Sequence, residues 1–157
     1  MTVSLRHILP LHRPDGLHAL LTEIVAAADR RQRDRDGLPV TATLDVDAGL
    51  DVPGDPRHLR GVLAPLVEAA FAASGCRDRR RPGCAEVVVT ALACTDRVEI
   101  EVADSAADVS RQEAAVAEIR PLVERAGWKL SAVACPDGGL AVTLRIPRRR
   151  GHSRAAA

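Results

Sequence analysis

Few side chains in this 157-residue chain stand at a spacing that chemistry would use. The cysteines are Cys76, Cys84, Cys94 and Cys135, and none forms a C-x-x-C pair, so the spacing of a zinc site is missing. Cys76 and Cys84 flank an arginine-rich loop and are placed to meet across it; small buried hydrophobes are the plainer reading. His7, His12, His18 and His58 are scattered and read as surface or boundary residues. No nucleophilic triad, Walker loop or metal cluster is visible. What remains is carboxylates. Asp104 follows the strand-like run Val98 to Ala103, where an aspartate caps or closes a turn. Glu68 lies in the helix-sized block Gly54 to Phe71 and reads as a solvent-facing helix residue. Arg77, Arg79, Arg80 and Arg81, with Arg148 to Arg150, offer a basic patch for nucleic acid or a phosphoprotein. Without interleaved aromatics, and with a net charge of +1, a solvated loop is the preferred reading and nucleic acid is not expected as a partner.

The elements that would position these groups are legible from periodicity. Leu17, Leu20, Leu21, Ile24, Val25 and Ala28 recur at helical spacing behind Asp15 as N-cap, predicting a helix to about Arg31. The run Arg30 to Asp36 reads as its solvated end, closed by Gly37. Val40, Ala42, Leu44 and Val46 alternate with polar residues as a half-buried strand does. Asp55 caps the next helix with Pro56 at its first position, and Leu59, Val62, Leu63, Leu66, Val67, Ala70 and Phe71 form one apolar face. Pro65 lies inside that helix and predicts a kink near residues 61–65. Glu86 to Leu92 and Arg97 to Ala103 read as a hairpin around Cys94-Thr95-Asp96. Ser110 and Glu113 read as a capping box, followed by Ala115, Ile119, Leu122, Val123 and Ala126 on one face and Gly127 as the stop. Lys129 to Ala134 and Leu140 to Ile146 make a last hairpin, and Val3 to Leu11 suits an edge strand.

Hydrophobic residues make up 46% of the chain, enough for one buried core, and aromatics only 1%, so Leu, Val, Ile and Ala must build it. Met1 to Pro10 lacks a long apolar run, and no segment approaches the roughly 20 apolar residues that span a bilayer. The expectation is a soluble, cytoplasmic protein without membrane partners. The element order predicts an α+β fold, a two-layer α/β sandwich with three helices packed on one face of a mixed sheet. The other face should be polar, through Thr41, Thr43, Glu99, Glu101 and Thr143. Leu21, Ile24, Leu59, Leu63, Leu66, Val98, Ile100, Ile119, Val123, Leu130, Val142 and Leu144 are the expected core.

Three stretches in this order resemble the histidine kinase-type ATPase domain, the GHKL or Bergerat fold. They are the Asp55…Leu59…Val62-Leu63…Leu66…Ala70 helix, the strand Val98-Glu99-Ile100-Glu101-Val102-Ala103-Asp104-Ser105, and the close Ile119 to Pro147. The resemblance covers roughly residues 5 to 147. It implies a domain over 1–147 and leaves 148–157 as a basic, Ala-rich, disordered tail. It also implies a degenerate version. The helix asparagine that ligates magnesium in the family corresponds to Ala69, and the asparagine or glutamate base one turn earlier to Pro65. Neither Ala69 nor Pro65 holds a hard cation. Asp104 matches the aspartate that contacts adenine, but Asp104-Ser105-Ala106-Ala107-Asp108 lacks both glycines of that box. About five residues separate Asp104 from Ser110, too few for the second glycine box and the lid. No histidine stands in an H-E-x-x-x-P context.

The resemblance therefore implies a pseudokinase or pseudo-ATPase with no catalytic residue, no metal site and no cofactor, ATP and magnesium included. The former pocket would be shallow, bordered by Asp104 and Asp108, with small residues at Ala64, Ala69, Ala72, Ala73, Ala106 and Ala107 admitting another backbone. The function expected is protein docking in bacterial signal transduction, the partner being a signalling protein or a second copy of the chain. A second reading is the nucleotide-binding ATPase part of a split sensor histidine kinase or of an anti-sigma-type serine kinase, with Asp104 as the adenine contact.

Overall fold

The computed structural model describes residues 16–35, 39–75, 85–106 and 108–148. Helix α1 is Leu17–Asp34, β1 Val40–Val46, α2 Pro56–Ser74, β2 Ala85–Ala93, β3 Arg97–Asp104, α3 Ser110–Arg125, β4 Lys129–Ala134 and β5 Leu140–Pro147. The strands form one sheet in the order β1-β2-β3-β5-β4. Strand β1 pairs parallel with β2, and every other pairing is antiparallel. A parallel neighbour needs a crossover, and α2 supplies it. The three helices lie on one face of this mixed, open sheet, as the α+β reading expects. Expectations for Val3 to Leu11, Asp15, Gly37, Cys76, Cys84, the Arg77 to Arg81 loop, Ala107 and residues 149–157 lie outside the described residues.

Alternation decides which face is covered. Val40, Ala42, Leu44 and Val46 on β1, Val87, Val89 and Ala91 on β2, Val98, Ile100 and Val102 on β3, and Leu140, Val142, Leu144 and Ile146 on β5 are all buried. They meet the apolar stripes of the helices, where Leu21, Ile24, Leu63, Leu66, Phe71, Ile119 and Val123 are at most 2% exposed. Leu130 differs from expectation: it packs against the core but is only partly buried, because β4 is an edge strand covered from one side.

Helix boundaries follow their caps. The Asp55 side chain accepts the Arg57 N–H at 2.9 Å, and Pro56 opens α2. The helix runs without a break through Pro65. Helix α1 extends beyond Arg31 to Asp34, with Gly16 at its N-cap. The charged run is solvated as expected at Arg30, Arg31, Arg33, Asp34 and Arg35, all exposed, and only its Gln32 is buried; Arg33 bonds the buried Asp29 at 3.0 Å, and Arg31 pairs with Glu68 of α2. Gln32 packs where a Cβ on Gly75 would stand.

At the start of α3 the capping-box expectation is corrected. Ser110 is the first helical residue, and its N–H donates to the Asp108 carboxylate at 2.9 Å. An aspartate two residues upstream reaches that N–H first, and Ser110 makes no side-chain cap. The buried face of α3 is Gln112, Ala115, Val116, Ile119 and Val123; Leu122 is partly buried and Ala126, at the C-cap, is exposed. Gly127, with φ 71°, ends the helix in the left-handed conformation that glycine tolerates. Trp128 follows, its ring edge-on to His58 of α2 with centroids 4.9 Å apart.

Candidate functional site

Strand β3 delivers Asp104 to the edge of the core. The side chains of β3 alternate, so Asp104 shares the inward face with Val98, Ile100 and Val102 and is itself buried. A buried carboxylate must be hydrogen-bonded. Asp104 Oδ1 accepts the Ala106 N–H at 2.8 Å, an Asx-type turn that swings the chain away from the sheet. Asp104 Oδ2 accepts from Gln112 Nε2 on α3. The Leu140 N–H, at the start of β5, is a third donor. Burial holds the Asp104 carboxyl above the ordinary carboxylate value, and these hydrogen bonds oppose that displacement.

The neighbouring backbone closes around the same residue. Gly139 has φ 96°, and a Cβ there would lie 1.8 Å from the Asp104 carbonyl oxygen. The turn from β4 to β5 therefore sits directly on the end of β3. Ser105 lies on the other side: its N–H donates to the Glu86 carbonyl at 3.1 Å, and its hydroxyl accepts the Glu86 N–H at 3.0 Å. Five residues, 105 to 109, join β3 to α3, and Ala106 among them is buried.

Helix α2 carries the other two predicted positions. Pro65 and Ala69 are half-buried one turn apart, and neither has a side-chain oxygen or nitrogen. The chain contains no asparagine anywhere. Glu68, beside Ala69, is paired with Arg31. Of the small residues expected to line an approachable surface, Ala64, Ala69 and Ala72 are half-buried, whereas Ala73 and Ala106 are buried in the protein and line nothing. Asp108 is exposed, and its hydrogen bonds with Ser110 hold its carboxyl below the usual range, as for a helix cap. Asp104 thus belongs to the interior and Asp108 to the surface, so they do not form a common rim.

Gln112 was missed by sequence reasoning. Its signal is positional: it is a polar residue at helical spacing with Val116, Ile119 and Val123 on an otherwise apolar stripe.

The open sheet face is chemically different. Glu99 Oε1 accepts from Arg97 Nε at 2.8 Å and from Arg145 Nε at 3.0 Å, and the two guanidinium groups hold its carboxyl below the usual range. Arg145 also donates to Ser131 at 3.2 Å, and Thr143 donates to Glu101 at 3.2 Å. A half-open hollow of about 250 Å³ lies here, lined by Asp96, Arg97, Lys129, Arg145 and Pro147, at the opposite end of β3 from Asp104. Among the described residues no group of three His, Cys, Asp or Glu is placed to hold a metal ion, and Cys94 and Cys135 are free thiols. No helix among them is long and apolar enough to cross a membrane.

Comparison with solved structures gives the same architecture repeatedly. The nucleotide-free catalytic domain of the histidine kinase ThkA is similar with a TM-score of 0.66 at 18% identity, covering 84% of this chain and 94% of that one. Full-length ShkA in complex with AMPPNP gives 0.65 at 16% identity, over 94% of this chain and 32% of that one. ThkA in complex with the response regulator TrrA gives 0.63 at 17% identity, over 84% and 40%. No protein-family model matches the chain, and no curated protein matches it at a significant level. At these identities the likeness establishes a shared fold: the chain has the fold of histidine kinase catalytic domains.

Proposed function

We propose that this chain, with the fold of a histidine kinase catalytic domain, is a non-catalytic member of that architecture that docks onto a signalling protein. The observation that carries the reading is the five-residue link from Asp104 to Ser110. A mobile cover over a bound phosphate chain needs more backbone than five residues, one of which is already tied to Asp104. The remaining residues do not suit a magnesium nucleotide either. Magnesium takes oxygen ligands in near-octahedral geometry, and the α2 face offers Pro65 and Ala69.

A docking role is consistent with what such a fold does elsewhere, since ThkA is found in complex with a response regulator. Retention of Asp104 at the end of β3 favours the second reading, a nucleotide-binding part of a split histidine kinase or an anti-sigma-type serine kinase. Titration with ATP and magnesium, and incubation with γ-labelled ATP, separate the two. The expected result is no binding and no protein-bound label. Label that appears and is abolished by Asp104→Asn overturns the non-catalytic reading; binding without label favours the second.

A further inference from the structure

The open face of the sheet gathers its cations at one end. Alternation with the buried residues puts Leu92, Glu99, Arg145 and Lys129 on that face. The register sets them side by side: Leu92 opposite Glu99, Glu99 opposite Arg145, and Arg145 opposite Lys129. Arg97 stands in the next row, opposite Pro147. Arg97, Lys129 and Arg145 line the hollow of about 250 Å³ together with Asp96 and Pro147. The carboxylates there are outnumbered. Glu99 receives both guanidinium Nε groups, Asp96 receives Arg97 Nη1, and Arg145 Nη1 turns to the Ser131 hydroxyl. Lys129 is exposed and has no ion-pair partner among the described residues. Like charges directly opposite on neighbouring strands repel, so a further carboxylate between Lys129 and Arg145 relieves a conflict built into the sheet. At the other end of the same row Leu92 is 64% exposed.

We propose that this row is the docking surface for an acidic segment of a partner protein, its carboxylates set on Lys129, Arg145 and Arg97 and an apolar side chain on Leu92. The inference rests on the docking reading above and adds the surface and the chemistry of the partner. Four strands in a row span roughly 14 Å, at about 4.8 Å per step, which an extended segment covers with about four or five residues. The residues after Pro147 do not supply the acid, because they read Arg148-Arg149-Arg150 and share the sign of the hollow. A nucleic acid suits the place less well. Asp96 and Glu99 stand among the cations, and no aromatic side chain lines the hollow for a base to stack on.

The test is fluorescence anisotropy of a short labelled peptide of leucine, aspartate and glutamate, titrated with the native chain at low salt. The controls are the same peptide with amides in place of its acids and a labelled oligothymidylate. The acidic peptide should bind and be released as salt rises. Lys129→Glu sets carboxylate against carboxylate and should weaken binding about tenfold or more. Leu92→Ser should weaken it several-fold. Glu99→Gln frees both guanidinium groups and should tighten it several-fold. Lys129 is the only lysine, so carbodiimide coupling of the bound peptide should join it to the chain at that residue, as mass spectrometry reads directly. A native chain that ignores the acidic peptide, binds it no better than Lys129→Glu or Leu92→Ser does, or takes the amide peptide or the oligothymidylate equally well overturns the proposal. So does self-assembly of the native chain that Lys129→Glu abolishes, since the occupant is then a second copy. None of these results touches the non-catalytic reading, which stands or falls on labelled ATP.

Discussion

Strand β3 carries two carboxylates with opposite fates. Glu99 faces the open side of the sheet, half-buried between Arg97 and Arg145, and its partners favour the charged form. Asp104 faces the helices, and burial disfavours its charge although three donors reach it. Pairing alone therefore does not fix which form of a carboxylate its surroundings favour. Glu99 is half-buried between two cationic partners that are themselves largely open to solvent, so screening keeps the contribution of these ion pairs to stability small. Among the described residues Asp104 has no cation, only oriented dipoles, and each of its donors there comes from a different element. It ties β3, α3 and the β4–β5 turn to one point.

The sharpest way to break this contrast is Gly139→Ala. The residue needs φ 96° and its Cβ would meet the Asp104 backbone, so strain and overpacking should together cost about 2–5 kcal/mol. In a chain of this size that lowers the Tm by about 2–4 °C per kcal/mol, measured by calorimetry. A loss within a few tenths of a kcal/mol would show that the end of β3 is loosely held.

Asp104→Asn probes the sign of the burial effect. The native Asp104 pKa lies above its unfolded value, so over that window the folded state binds more proton and stability falls as pH rises. Asparagine keeps an acceptor for Ala106, and its own amide can be received by Gln112 Oε1 if the carboxamide turns over. Relative to the native chain, the variant should therefore gain as pH climbs from about 4 towards neutrality. Denaturant midpoints at several pH values check it, and a difference independent of pH contradicts it.

Glu99→Gln should have the smallest effect and the opposite slope. The Glu99 pKa is lowered in the folded state, so its contribution is present above the unfolded value and is lost as pH falls through the folded one. The variant should lose only the salt-dependent part of stability at neutral pH and match the native chain in acid. An effect of Glu99→Gln larger than that of Gly139→Ala would reverse the ranking of the two regions.

The fold was largely readable because its signals agree across levels. Asp55-Pro56 marks the start of α2, the alternation through Val98, Ile100 and Val102 sets the face of β3, and Gly127 stops α3. The failures occur where local patterns compete. Ser110-x-x-Glu113 has the form of a capping box, but Asp108 reaches the Ser110 N–H first. Leu130 has the right parity for the core but stands on an edge. The candidate site was half legible. Asp104 was singled out through the family resemblance, with turn closure and ligand contact both open. Gln112 was overlooked, because a lone polar residue at the margin of an amphipathic helix does not reveal which neighbour it faces.

The Trp128–His58 contact bears on how any of this can be observed. The chain has one tryptophan and no tyrosine, so intrinsic emission on red-edge excitation comes from a single indole. That indole stands where α3 hands over to β4, against the first turn of α2, beside the strand ends carrying Arg97 and Arg145. Optically the protein is a one-pixel camera aimed away from Asp104. Its fluorescence will record the parting of α2 from the β4 edge during unfolding, and a ligand filling the far end of β3 can pass without a change in signal.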